Sequence, residues 1–200
     1  MITTAIQAGG QSRRMGRDKA LVQLDGQPLI AHLLACVNGL GDEILITTSQ
    51  PGDYEQFGVR LVSDPVPGAG KLVGLHTALS AARGDHVLVL ACDMPFVSRP
   101  LLEHMLGRAP EADIIVPHRN DRYEPLHAVY HRGNCLPPLR SALEAGKKRM
   151  ISFFPEVKVL TIKPTEYHRF DPDEWSFFNV NTPEDLREAE RRLQRLRGAS

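Results

Sequence analysis

ITTAIQAGGQSRRMGRDK, residues 2–19, sets a short β-branched run directly ahead of a loop with three glycines and four cations. Residues 2–7 predict a strand. The loop that follows opens on Gly9 and Gly10, and Arg13, Arg14, Arg17 and Lys19 crowd into it against the single acid Asp18. A strand followed by adjacent glycines lets backbone N–H groups approach an anion without a Cβ in the way, and Arg and Lys neutralise its charge. On glycine and charge alone this opening reads first as an anion site at the end of the first strand, and second as a tight turn with a solvated basic face.

Working outward, strand-like and helix-like patterns alternate. Helices are predicted over 28–37, 72–82 and 100–106, and strands over 43–48, 59–62, 86–91 and 113–116. The alternation argues for a largely parallel sheet with helices on both faces, whose ligands bind beyond the carboxyl ends of the strands. The second half is less regular, with strands expected near 126–130 and 157–162 and a helix over 136–145. Thr182 reads as the N-cap of a closing helix, with Pro183 at its first position. Its apolar stripe is Leu186, Ala189, Leu193 and Leu196.

The chain has 200 residues, 24 Lys plus Arg against 24 Asp plus Glu, and three cysteines without CxxC spacing. Zero net charge argues against a nucleic-acid-binding module and makes the cationic loop a local feature suited to a small anion. No apolar run is long enough to cross a bilayer, and no secretory signal is read at the N-terminus. The separate cysteines predict free thiols in a reducing compartment, so a cytoplasmic protein is expected. No repeat or linker divides the chain, and one domain is expected over 1–200.

Two common phosphate motifs fail. GxGxxG does not fit adjacent Gly9 and Gly10, and in residues 68–74 the third glycine comes one place late. A P-loop at Gly70-Lys71 fails because Pro65 stands where its first glycine belongs and Leu72 where Ser or Thr is needed. Among the eight histidines no HExxH occurs, and no cysteine–histidine cluster suggests zinc. Asp93 follows the most apolar run, 86–91. By itself it reads more readily as a helix N-cap or turn aspartate before Met94-Pro95 than as a metal ligand.

The stretch AGGQSRRMGRDKALVQLDGQPLI (residues 8–30) closely resembles the signature AGGxSxRMGxDKxLxxxxGxPL of molybdenum cofactor guanylyltransferases. The resemblance continues at Asp64, PGAGKLVGLHTAL, ACDMPF (91–96), EPLHAVYH (124–131) and FNVNTPEDL (178–186), in order along nearly the whole chain. It implies a three-layer Rossmann-like nucleotidyltransferase fold of the glycosyltransferase-A-like kind. It also implies transfer of GMP from GTP to molybdenum-bearing molybdopterin, with release of pyrophosphate. Carried over by position, Gln7, Ala8, Gly9, Gly10, Thr47, Asp64 and Gly70 line the nucleotide. Arg14 and Lys19 meet the phosphates, Asp93 holds Mg²⁺, and Asn179 and Asn181 face the acceptor. Arg14, Lys19 and Asp93 are then the catalytic set. The N-terminal part serves mainly the nucleotide and the C-terminal part mainly the acceptor.

Three departures bear on the base: Gln7 for the usual Leu, Thr47 where some members carry Asn, and Lys71 for a proline, placing a cation near the expected nucleotide. The segment 122–127 aligns with the acceptor-facing part, and Lys147, Lys148 and Arg149 are available to an acceptor phosphate or to solvent. Two alternatives stand beside this reading: a cytidylyltransferase or another small-phosphate nucleotidyltransferase, and a nucleotide-binding protein without turnover. GTP and molybdenum-molybdopterin are the expected partners, with transient contact to proteins that insert or deliver the cofactor, and no nucleic acid or membrane.

Overall fold

The computed structural model describes residues 1–8, 18–64 and 70–198. The first half contains β1 (Ile2–Gln7), the hairpin β2 (Gln23–Leu24) and β3 (Gln27–Pro28), α1 (Leu29–Val37), β4 (Glu43–Thr48), β5 (Arg60–Ser63), α2 (Lys71–Ala81) and β6 (His86–Ala91). There follow α3 (Arg99–Gly107), β7 (Ile114–Arg119), β8 (Arg122–Tyr123), β9 (His127–His131), α4 (Arg132–Glu144), β10 (Val159–Ile162), α5 (Pro164–Tyr167) and α6 (Pro183–Gly198).

The main sheet runs β10-β7-β9-β6-β1-β4-β5, with β8 paired to β7. All neighbours along this path are parallel except β9, which lies antiparallel between β6 and β7. The chain steps from β1 outward to β4 and β5, then crosses back to β6. Because such crossovers are right-handed, the two directions of travel put α1 and α2 on opposite faces. The fold is a three-layer, Rossmann-like α/β arrangement with a mostly parallel sheet. β1 and β6 flank the point where the strand order reverses, and this is where such sheets hold ligands.

β1 and β6 are buried almost throughout, as near-continuous apolar runs at the centre of a doubly covered sheet should be. α2 packs over β1, β4 and β5 and against α4. On α3, Arg99 donates to the carbonyls of Cys36 and Asn38, tying that helix to the end of α1. A second, smaller core of Leu24, Leu29, Val180 and Ala189 joins the β2–β3 hairpin to α6. The predicted stripe on α6 is buried or half-buried through Leu193, and Leu196 is 46% exposed.

Two short hairpins escape the apolar pattern because β2, β3 and β8 have only two residues each. Their turns use positive φ at Asp25 and Gly26, and at Asn120 and Asp121. α4 begins at Arg132, four residues ahead of the predicted start. Pro137 and Pro138 lie inside it, and the His131 side chain caps the backbone N–H of Asn134. Among the described residues no helix is long and apolar enough to cross a membrane. The three cysteines are free thiols.

Candidate active site

The carboxyl ends of β5, β4, β1 and β6 bring the predicted nucleotide residues to one edge of the sheet. Gln7 and Ala91 are register partners across β1 and β6, and the backbone N–H of Cys92 donates to the Gln7 carbonyl at 3.1 Å. On the other side of β1, Ala8 donates to the Thr47 carbonyl at 2.8 Å. Asp64 donates its N–H to the Thr48 carbonyl at 3.1 Å, which places it just past β5. Gly70, at φ 98°, occupies the N-cap of α2 in a conformation that disfavours a side chain. A Cβ on Gly74 would stand 3.2 Å from Oε1 of Gln7, so α2 crosses tightly over that side chain. Gly9, Gly10 and Arg14 lie outside the described residues.

Lys19 stands at the centre of the crevice. Its ammonium donates to Oδ1 of Asn181 and lies 3.7 Å from Oδ2 of Asp93. Asp93 is fixed in turn by its backbone carbonyl, which accepts from the N–H of Val180 at 2.9 Å. Val180 is fully buried in the small core, so the Asn179-Val180-Asn181 turn is pinned at its middle residue. Asn179 donates its side-chain amide to the Phe177 carbonyl.

The turn leads into α6 through a capping box. Asp185 accepts from the N–H groups of Asn181 and Thr182 at 2.9 and 2.8 Å, and its own N–H donates to the Thr182 hydroxyl at 3.1 Å. Asn181, expected on the acceptor side, therefore also orients Lys19.

Asp18 precedes Lys19 and uses both carboxylate oxygens. Oδ1 caps the short helical turn Lys19–Leu21 at the N–H of Ala20, and Oδ2 accepts from the hydroxyl of buried Tyr54 at 2.7 Å. Tyr54 lies in a 3₁₀ segment, Pro51–Phe57, and carries no motif by which its sequence neighbours would announce a role.

Burial, and then the neighbouring Asp93 and Asp18 carboxylates, push the Cys92 thiol well up, so it stays protonated and is a poor nucleophile. Burial likewise raises the Asp64 carboxyl, against the opposing pull of the Thr77 hydroxyl. Oδ1 of Asp93 is buried and has no hydrogen-bond partner among the described residues. A buried carboxylate oxygen left in this state calls for a donor or a cation.

A second feature is a cleft of about 520 Å³ lined by Lys71, Asp121, Arg122, Tyr123, Lys148, Arg149, Met150 and Ile151. Lys71 is the first residue of α2, and the cleft it lines draws its other walls from the β7–β8 hairpin and residues 148–151. The cation expected beside the nucleotide thus contributes to this wall. Within that hairpin, Arg119 at the end of β7 ion-pairs with Glu124 and Glu174. Burial raises the Glu124 carboxyl, and Arg119, then Lys71, offset it.

A family model described as MobA-like NTP transferase domain matches residues 4–158. The molybdenum cofactor guanylyltransferase of Desulfosudis oleivorans is 34% identical over 191 residues, covering 94% of this chain and 94% of that protein. Its counterpart in Vibrio cholerae serotype O1 is 35% identical over 185 residues, covering 90% and 87%. The solved structure of molybdopterin-guanine dinucleotide biosynthesis protein A from Archaeoglobus fulgidus matches with TM-score 0.81 and 29% identity, over 96% of this chain and 99% of that one. The 2-C-methyl-D-erythritol 4-phosphate cytidylyltransferase from Thermus thermophilus shares the fold, with TM-score 0.70 and 19% identity over 95% and 98%.

Proposed function

The chain belongs to the MobA-like NTP transferase family, and from that premise we propose that it transfers GMP from GTP to molybdenum-bearing molybdopterin. The observation that carries this reading is the meeting of Lys19, Asp93 and Asn181 at the end of β1 and β6. An oxygen of the acceptor's phosphate attacks the α-phosphorus of GTP. The bond from that phosphorus to the bridging oxygen breaks, and pyrophosphate leaves. Negative charge meets negative charge throughout, so the protein's task is positioning and charge neutralisation more than nucleophilic chemistry.

Lys19 supplies a point charge to the triphosphate, held in place by Asn181. Gln7, Ala8, Gly9, Gly10, Thr47, Asp64 and Gly70 form the nucleotide's surroundings, with Arg14 as a second cation for the phosphates. The donor set suits Mg²⁺: one carboxylate at Asp93 with a buried oxygen that no described residue hydrogen-bonds, leaving the other coordination positions to phosphates and water. Bound there, Mg²⁺ would draw off charge from the triphosphate and the departing pyrophosphate. Asn179 faces the acceptor, and the cationic cleft of Arg122, Lys148 and Arg149 suits the acceptor's own phosphate. A reaction drawing on the nucleoside triphosphate pool suits the cytoplasm. A labile product favours direct hand-over to a protein that inserts it.

The test is pyrophosphate release by the purified protein with molybdenum-molybdopterin, Mg²⁺ and each of GTP, CTP and ATP. Turnover with GTP is expected, and Asp93→Asn should lower its rate at least about 100-fold. Turnover with CTP alone, or an unchanged rate in the Asp93→Asn protein, refutes the reading.

A further inference from the structure

We propose that Tyr54 is a positioning residue for nucleotide binding, setting Lys19 through the carboxylate of Asp18; this rests on the phosphate role given to Lys19 above. Tyr54 is wholly buried, with its ring 6.2 Å from that of Phe57. A phenylalanine would fill the same apolar site without requiring a polar partner. The hydroxyl here has one, the 2.7 Å bond to Oδ2 of Asp18. The other oxygen of that carboxylate holds the N–H of Ala20 at 3.0 Å, one residue beyond Lys19. With both oxygens engaged by different elements, the Asp18 side chain cannot rotate, and the turn that carries Lys19 is anchored to the segment following β4.

Lys19 is thus located at both ends. Its backbone is placed by Asp18 and Tyr54, and its ammonium by Asn181 and Asp93. A lysine is a flexible point charge, so its worth to a triphosphate depends on how little freedom remains to be lost on binding. Burial, and then the bond to Asp18, push the phenol above its ordinary range, so it remains a donor at every pH at which the enzyme would work. The link joins residues 36 apart in sequence and carries no local motif.

The experiment measures GTP binding in the presence of Mg²⁺ by titration calorimetry, acceptor KM in the transfer assay, and the thermal midpoint. It is applied to Tyr54→Phe, Asp18→Ala and the double variant. Tyr54→Phe should raise the Kd for GTP about tenfold, the worth of a hydrogen bond to a charged group. Acceptor KM should stay within about twofold. On the Asp18→Ala background the same change should weaken GTP by less than about twofold, because the link is already cut. Unchanged GTP affinity in Tyr54→Phe, independent and multiplying effects, or a parallel rise in acceptor KM would each overturn the proposal. Because GTP binding is read without the acceptor, the coupling survives as a finding even if no GMP transfer occurs, and the two readings fail separately.

Discussion

At His127 the imidazole is enclosed completely, its ring 5.1 Å from that of Phe177, and neither nitrogen has a hydrogen-bond partner among the described residues. Burial holds its pKa at about 4, below the ordinary 6.5. Above pH 6.5 the ring is neutral in both folded and unfolded chains and contributes no pH dependence. Between pH 6.5 and 4 only the unfolded chain takes up the proton, so stability falls as the pH falls, by about 3 kcal/mol over that window. His127→Leu should remove this loss. Urea midpoints at pH 7 and pH 4.5 should converge in the variant and separate in the parent, and equal separations would show that other groups carry the dependence.

At the same scale, Lys19 and Asp93 were legible in the sequence because RMGRDK and ACDMPF match positions of the resembled signature, not by any property of the single residues. Tyr54 was not, since a tyrosine in a polar turn carries no periodic or motif signal.

Elements meet tightly where the chain folds back over the start of β1. A Cβ on Gly84 would lie 2.7 Å from both the Met1 carbonyl oxygen and the Thr3 nitrogen, which are backbone atoms that cannot turn aside. The N–H of Gly84 also donates to the Thr3 hydroxyl at 2.9 Å. Gly84→Ala is therefore expected to cost about 2 kcal/mol. Gly107, at the end of α3, has nothing within 4 Å of its missing Cβ, and Gly107→Ala should be neutral or slightly stabilising. Denaturant unfolding of the pair checks this, and equal losses would contradict the steric account.

The long elements were readable from apolar periodicity, and the Thr182-Pro183 start of α6 from its cap. The short strands β2, β3 and β8 were not, although Asp25-Gly26 is a turn signal in its own right. Nor was the true start of α4, whose prolines hide a cap supplied by a histidine.

Across the whole molecule, the function proposed above assigns GTP to the β1/β6 switch and the acceptor's phosphate to the cationic cleft beside α2. Reversing charge in the cleft should then separate their binding. Lys148→Glu and Arg149→Glu are each expected to raise the KM for the molybdopterin acceptor at least about tenfold, leaving the KM for GTP within about twofold. Steady-state kinetics with each substrate varied in turn is the measurement. A larger effect on GTP would move the cleft to the nucleotide side.

The order of the long strands and helices and the runs bearing Lys19 and Asp93 follow from the sequence itself. Backbone permissiveness, apolar period and capping act over a few residues, and a linear chain displays them openly. Asn181 meeting Lys19 across 162 residues, Lys71 lining the cationic cleft and Tyr54 gripping Asp18 were decided only by the tertiary structure. The first depends on the small core that pins Val180 beside Asp93, the second on α2 standing beside the β7–β8 hairpin, and the third on the segment after β4 lying against the turn before Lys19. Such long-range packing leaves no pattern among neighbouring residues.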